Sequence, residues 1–250
     1  MGKLKEHLSK KIPDWRYNYR QLLDEKGDQV TSTVTINTAY SGMKGVKGMI
    51  CDTSSVTADA GLHVRGKHIL DLVDLKPEEI LYLLLIGELP NEEELLDLQH
   101  ELKERSVVPD YVWKVLSGMP KDSHPMAMFN TAILSMQKES KFAEAYDLVV
   151  SKGDYWESTL EDGLNIIAKL PAIGAAVYRL RFEKGDRLEA GDSVDWSENF
   201  LQMMGIDYSD DMLKMMQLYL MLHCDHEGGN VSTFSALTVN SALSDPYYSL

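Results

Sequence analysis

The chain has 250 residues, of which 44% are hydrophobic and 26% charged, and its formal net charge is -14 at pH 7. This length can bury a sizeable core, and the composition is that of an ordinary globular protein. The acidic balance argues against nucleic-acid binding, which needs clustered lysine and arginine. The longest apolar run, 80–86, is too short to cross a bilayer.

The amino-terminal part of the chain combines helical and extended patterns. Residues 4–12 and 15–23 predict two short amphipathic helices, separated where Pro13 interrupts the pattern. Residues 30–36 alternate branched and polar side chains, which is typical of a strand, and 49–51 predict a second short strand.

From residue 76 onward the periodicity is almost entirely helical. Asp74 is predicted to cap a helix that begins at Pro77, and the acidic run after Asn91 repeats this start signal. Ser123 is predicted to cap a helix over 124–138. Further helices are predicted over 142–150, 157–170, 172–184, 197–204, 210–226 and 232–243.

No linker rich in proline or serine divides the chain, and no internal repeat is evident. We therefore predict an all-α fold in which residues 1–250 form one large helical domain, with a small β element near residues 30–65.

The most informative motif is the run His-Cys-Asp-His-Glu-Gly-Gly-Asn-Val-Ser at 223–232. His223 and His226 are three residues apart, so on a helix they share one face. The double glycine that follows readily takes the left-handed conformation that ends a helix. The motif predicts a pocket for a small ligand at a helix terminus.

This motif and eight further blocks resemble the citrate synthase family, of the type found in eukaryotes and some bacteria. Ser-Ala-Leu-Ser-Asp-Pro-Tyr at 241–247 follows the histidine motif as it does in that family. The other blocks keep the family's order and cover nearly the whole chain: Ser-Gly-Met-Lys-Gly-Val-Lys-Gly at 41–48, Val-Arg-Gly at 64–66, Leu-Leu-Ile-Gly-Glu-Leu-Pro at 84–90, His-Pro-Met at 124–126, Tyr-Trp-Glu at 155–157, Ile-Ala-Lys-Leu-Pro at 167–171 and Asp-Trp-Ser at 195–197.

The resemblance implies a citrate-synthase-like helical fold and an acyltransferase of the tricarboxylic acid cycle. Such an enzyme condenses acetyl-coenzyme A with oxaloacetate and water to give citrate and coenzyme A. It implies a homodimer in which the helix at 124–138 packs across a two-fold axis. It implies no cofactor and no metal, because acetyl-coenzyme A is a substrate.

The resemblance also implies four binding residues. His226 matches a histidine that hydrogen-bonds oxaloacetate, His223 lies alongside, and Asn230 matches an asparagine near the substrate. Lys44 matches an arginine that contacts coenzyme A phosphates, commonly across the subunit boundary. The residues alone leave other readings open: helix carbonyls could satisfy the histidines, Asn230 could cap the next helix, and the segment around Lys44 could be a solvated turn.

The family's catalytic groups are expected beyond Leu250. They comprise a histidine in a Gly-Pro-x-His-Gly segment, a second histidine, an aspartate, and arginines that bind the carboxylates of oxaloacetate. We therefore expect residues 1–250 to be the amino-terminal portion of a longer synthase, with no catalytic residue of their own and no turnover alone.

Three alternatives differ in function. A 2-methylcitrate synthase would use propionyl-coenzyme A in place of acetyl-coenzyme A. A metal-dependent hydrolase could use His223, Asp225, His226 and Glu227, although the spacing is not His-Glu-x-x-His. A non-catalytic helical dimerisation module would require no ligand.

Cysteine usage and the amino terminus predict the compartment. Cys51 and Cys224 are isolated and predicted to be free thiols. Residues 1–11 contain lysine but no arginine, and they lack the apolar core of a secretory signal. We therefore expect a cytoplasmic protein.

Overall fold

The computed structural model describes residues 2–42, 45–225 and 231–250. Over these residues the chain is mainly α-helical, with one small antiparallel sheet, which confirms the predicted fold class. The helices are α1 Lys3–Lys26, α2 Ile36–Tyr40, α3 Pro77–Ile86, α4 Glu92–Arg105, α5 Asp110–Ser117, α6 Pro125–Ser135, α7 Lys141–Asp147, α8 Tyr155–Arg181, α9 Trp196–Met204, α10 Asp210–Leu222, α11 Val231–Ser241 and α12 Pro246–Ser249. The strands are β1 Ser54–Thr57, β2 Gly61–Val64 and β3 Lys67–His68, paired in that order.

The sheet lies close to the predicted β element but not on the predicted strands. Residues 30–35 form no strand, and neither do 49–51. Val30 is 76% exposed, so the alternating segment has neither a neighbouring strand nor a core to cover it. A single strand cannot complete its hydrogen bonds, which is why alternation alone gave a wrong prediction here.

Helix α1 is continuous through Pro13, so the predicted break between two short helices is wrong. Leu4 and Leu8 bury the first half of α1 against Tyr82 and other residues of α3 and α4. The second half is exposed, but Arg16 donates to the carbonyl of Gly153. Packing of the amino-terminal half and this contact just after Pro13 compensate for the hydrogen bond that proline removes.

Helix α8 merges the two helices predicted on either side of Pro171. Pro171 is buried, and Ile166 and Ile173 on the same helix join the largest apolar cluster, with α5 and α6. A second cluster on α8 joins α1, α3 and α4. The central helix thus shares its surface among most of the other elements, and this packing outweighs the local cost of the proline.

Two helix starts differ from the predictions by one or two residues. Lys76, not Asp74, precedes α3, and His124, not Ser123, caps α6 by accepting from the amide of Met126. Asn91 does begin α4, with a reciprocal capping box to Glu94. Both wrong predictions placed the cap too far upstream of a proline at the first helical position.

The third apolar cluster positions the end of α10. Met221 packs with Val64 of the sheet and with Leu72, Ile80 and Leu83 around α3. Among the described helices, none combines the length and apolar character that a membrane span requires.

Candidate functional site

Helix α10 carries His223 at its carboxyl-terminal cap. Ser209 caps the start of the helix, where Asp210 and Asp211 face the free amides of the first turn. The helix ends at Leu222, four residues before the predicted end, and the amide of His223 bonds back to the carbonyl of Leu220.

The ring of His223 folds back onto its own helix. Its Nδ1 lies 2.6 Å from the carbonyl oxygen of Tyr219, and the two rings are 4.3 Å apart. A carbonyl oxygen can only accept, so Nδ1 must carry the proton and donate. A helix carbonyl therefore satisfies Nδ1 of His223, as the alternative interpretation expected. Nε2 has no partner among the described residues.

His223 and Cys224 form the rim of an apolar cavity of about 330 Å³. Trp196 forms part of its wall, and its indole Nε1 donates to the carbonyl of Ile167 over 2.9 Å. The cavity walls come from α3, α4, α8, α9 and α10, chiefly Leu81, Leu84, Leu102, Ile167, Leu170 and Leu220.

Glu78 is the buried carboxyl group of this cavity, only 2% exposed. Its Oε1 accepts from Nε2 of Gln99 at 3.0 Å and from the amide of Trp196 at 2.9 Å. Burial raises the pKa of Glu78; the hydrogen bond from Trp196 reduces that effect, and the charge of Asp195 adds to it. Glu78 was not predicted as a site residue, because its acidic neighbourhood at a helix start has an ordinary explanation in the helix dipole.

Cys224 is unsuited to act as a nucleophile. The residue is exposed as a whole, but its thiol donates to the carbonyl of Leu220 over 3.3 Å. Desolvation, together with the charges of Glu78 and Asp225, raises the pKa of this thiol to about 12. Only a thiolate is a good nucleophile, so the thiol is inert near neutral pH. Both cysteines are free, as predicted.

Of the four predicted binding residues, only His223 lies within the described residues. His226, Asn230 and Lys44 lie outside them. The structure does bring the end of the glycine-rich segment next to helix α11, since a Cβ at Gly48 would lie 3.3 Å from Cε2 of Phe234. Gly48, at the end of the glycine-rich segment, is thus a neighbour of Phe234, which lies two residues past the histidine motif.

The metal-site reading gains no support from the part of the chain that is described. There, no three His, Cys, Asp or Glu side chains are grouped so that they could hold an ion. His226 and Glu227, half of the predicted set, lie outside that part.

Arg65 has a structural role, as its surroundings show. Its Nε and Nη2 donate to the carbonyl of Leu84 at 2.9 and 2.6 Å, and Nη1 lies 3.6 Å from Asp52. The residue adopts a φ of 47°, and it ties the hairpin to the end of α3.

Comparisons with known proteins give one consistent result. The family model described as citrate synthase, C-terminal domain, matches residues 42–250. Peroxisomal citrate synthase of Saccharomyces cerevisiae is 39% identical over 99% of this chain and 56% of its own length. Mitochondrial citrate synthase of Citrus maxima is 37% identical over 98% of this chain and 54% of its own length.

Solved structures agree. Citrate synthase from Pyrobaculum aerophilum superposes with a TM-score of 0.77 at 28% identity, covering 88% of this chain and 56% of that one. The Thermoplasma acidophilum enzyme, solved as a ternary complex with carboxymethyl coenzyme A and oxaloacetate, shares the fold with a TM-score of 0.73 at 24% identity, over 88% of this chain and 54% of that one. The chain spans about half the length of the curated relatives it matches.

The relatives correct the predicted compartment. Those of yeast and Citrus are peroxisomal or mitochondrial enzymes, so the expectation of a cytoplasmic protein is wrong. The inference failed because it relied on the composition of residues 1–11, which says little when relatives of this kind are organellar. The family match, in contrast, extends over most of the sequence, and the chain belongs to the citrate synthase family.

Proposed function

We propose that the complete protein containing this chain is a citrate synthase of the tricarboxylic acid cycle. It would condense acetyl-coenzyme A with oxaloacetate, and hydrolysis of the citryl thioester would release citrate and coenzyme A. The observation that carries this proposal is the identity of 36–40% with curated citrate synthases along nearly the whole chain.

Residues 1–250 are proposed to form the large helical domain and one side of the oxaloacetate site. His226 would hydrogen-bond the substrate, with His223 and Asn230 beside it. An imidazolium would bind a carboxylate of oxaloacetate through a charge-assisted hydrogen bond. Nε2 of His223 lies at the cavity rim without a partner among the described residues, which supports this role.

Lys44 is proposed to contact a phosphate of coenzyme A. Both substrates are anions and the chain has a net charge of -14, so local cations must provide their attraction. Lysine supplies the charge without the bidentate fork of arginine, so we expect a single, weaker contact.

The proposal assigns no catalytic residue to positions 1–250 and requires no cofactor or metal. The chemical step needs a base to remove a methyl proton from acetyl-coenzyme A and donors to stabilise the resulting enol. It also needs exclusion of water from the thioester, which domain closure commonly provides.

A homodimer is part of the proposal. Helix α6 exposes Met126 and Leu134 at 53% and 48%, while Met128, Ala132 and Ile133 on its other side are buried in the core. Exposed apolar side chains on one helix suit a subunit interface.

Release of free thiol from acetyl-coenzyme A tests the proposal. The complete gene product should release coenzyme A only when oxaloacetate is present, and residues 1–250 expressed alone should release none. Faster release from propionyl-coenzyme A would favour the 2-methylcitrate alternative. No thiol release by the complete product, or steady turnover by residues 1–250 alone, would contradict the assignment.

A further inference from the structure

Helices α3 and α9 begin side by side and exchange two contacts. Nζ of Lys76, the residue before α3, lies 2.9 Å from Oδ2 of Asp195, the cap of α9. In return, the amide of Trp196 at the start of α9 donates to Oε1 of Glu78 on α3. Each helix start thus provides a partner for the other.

Helix α10 joins this arrangement through one side chain. Nε2 of Gln217 donates to Oδ2 of Asp195 at 2.9 Å. Gln217 lies on α10 less than two turns before His223, so this bond fixes the approach of the histidine-bearing end. At that end, Glu78 lines the same cavity as His223 and Cys224.

The two carboxylate oxygens of Glu78 have different hydrogen bonding. Its Oε1 has two donors, whereas Oε2 is buried and has no hydrogen-bond partner among the described residues. An ionised carboxylate so placed is costly, which agrees with the raised pKa of this group. Buried, shifted carboxyl groups that line a cleft are enriched at functional sites.

We propose that Glu78 and Asp195 are positioning residues for the dicarboxylate site. Together they fix the His223 end of α10 against the starts of α3 and α9. The inference rests on the proposed function, because it assumes that this end of α10 contributes to oxaloacetate binding.

Steady-state kinetics of the complete gene product test this inference. Glu78→Ala and Asp195→Ala should each raise KM for oxaloacetate roughly tenfold, since small displacements of a binding group are costly. KM for acetyl-coenzyme A should change by less than about twofold, because the inference links these residues to the oxaloacetate site alone. Glu78→Gln keeps an acceptor for Trp196 without a buried charge, so it should restore KM for oxaloacetate to within about threefold of the wild-type value.

Asp162 provides a matched control. It is fully buried, and it accepts from the amides of Lys141 and Phe142 at the start of α7, away from α10. Asp162→Ala should destabilise the protein and leave KM for oxaloacetate unchanged. An equal rise in Asp162→Ala would show a general effect of destabilisation and overturn the inference.

Gln217→Ala keeps the test decisive if the carboxylate variants do not fold. The substitution removes only the hydrogen bond from Gln217 on α10 to Asp195, and it should raise KM for oxaloacetate by about threefold to tenfold. An unchanged KM in Gln217→Ala would overturn the inference, while wild-type turnover upholds the proposed function. Absence of wild-type turnover would instead refute the proposed function.

Discussion

His223 donates from Nδ1 to the carbonyl oxygen of Tyr219, at 2.6 Å, and its ring lies against the ring of Tyr219. This contact requires the proton on Nδ1, so the ring can donate from Nε2 to a carboxylate only as the imidazolium, which carries both protons. The histidine is thereby oriented before any ligand binds, which reduces the entropy lost on binding.

Two amide substitutions separate the roles of the ring nitrogens of His223. Glutamine places its amide near the position of Nε2, whereas asparagine reaches only as far as Nδ1. His223→Asn should therefore weaken oxaloacetate binding roughly tenfold, the equivalent of one charge-assisted hydrogen bond, and His223→Gln should weaken it by about threefold or less. Calorimetric titration of both variants measures the difference, and equal losses would show that Nε2 does not contact the ligand.

The two cysteines should differ in reactivity. Burial raises the pKa of Cys51, but hydrogen bonds involving Thr53 and Ser54 outweigh this effect, and the net shift is downward. The pKa of Cys224 is raised to about 12, so at pH 8 only about one molecule in ten thousand carries its thiolate. Iodoacetamide at pH 8 should modify Cys51 first, as read by peptide mass spectrometry. Faster labelling of Cys224 would contradict the desolvated placement of its thiol.

Stability should fall in alkaline solution because of Tyr82. Burial, followed by the charge of Glu94, raises the pKa of Tyr82 to about 12. The unfolded chain then loses this proton near pH 10 while the folded chain keeps it, so folding stability is complete below about pH 10 and declines as the pH rises to about 12.

Urea unfolding at pH 9 and pH 11 measures that decline. Tyr82→Phe removes the titrating group and should reduce the difference between the two pH values by about 1 kcal/mol. Tyr17→Phe is the control, since Tyr17 is 61% exposed. The same pH dependence in wild type and Tyr82→Phe would rule out this linkage.

The core around α8 should be the most sensitive to truncation. Ile173 is fully buried in the largest apolar cluster, so Ile173→Ala should lower the free energy of unfolding by about 2 to 5 kcal/mol. Val107→Ala, at a side chain that is 77% exposed, should change it by less than about 0.5 kcal/mol. Denaturant midpoints compare the two variants, and equal effects would mean that α8 is not the centre of the core.

Local sequence signals predicted most helices, because their start signals are short-range. The box between Asn91 and Glu94 is complete within four residues, and Asp195 caps α9 through the amide of Glu198. The helix breaks predicted at Pro13 and Pro171 were wrong because long-range contacts decide whether a helix continues there. Contacts with distant elements stabilise helices that a local rule would interrupt.

The candidate site was only partly predictable for the same physical reason. His223 could be singled out as a candidate because its motif is contiguous. Glu78 could not be singled out in this way, because its hydrogen bond is with Trp196, which lies 118 residues further along the chain. A carboxylate at a helix start resembles any solvated first-turn acid until the fold brings another helix start against it.

We propose that the segment beginning at His223 binds oxaloacetate, with His226 as its principal contact. Titration of oxaloacetate into the complete gene product and into its His226→Ala variant tests this most directly, with His100→Ala, an exposed histidine on α4, as the control. We predict that binding weakens at least about tenfold in His226→Ala and is unchanged in His100→Ala. Unaltered affinity in His226→Ala would contradict the account.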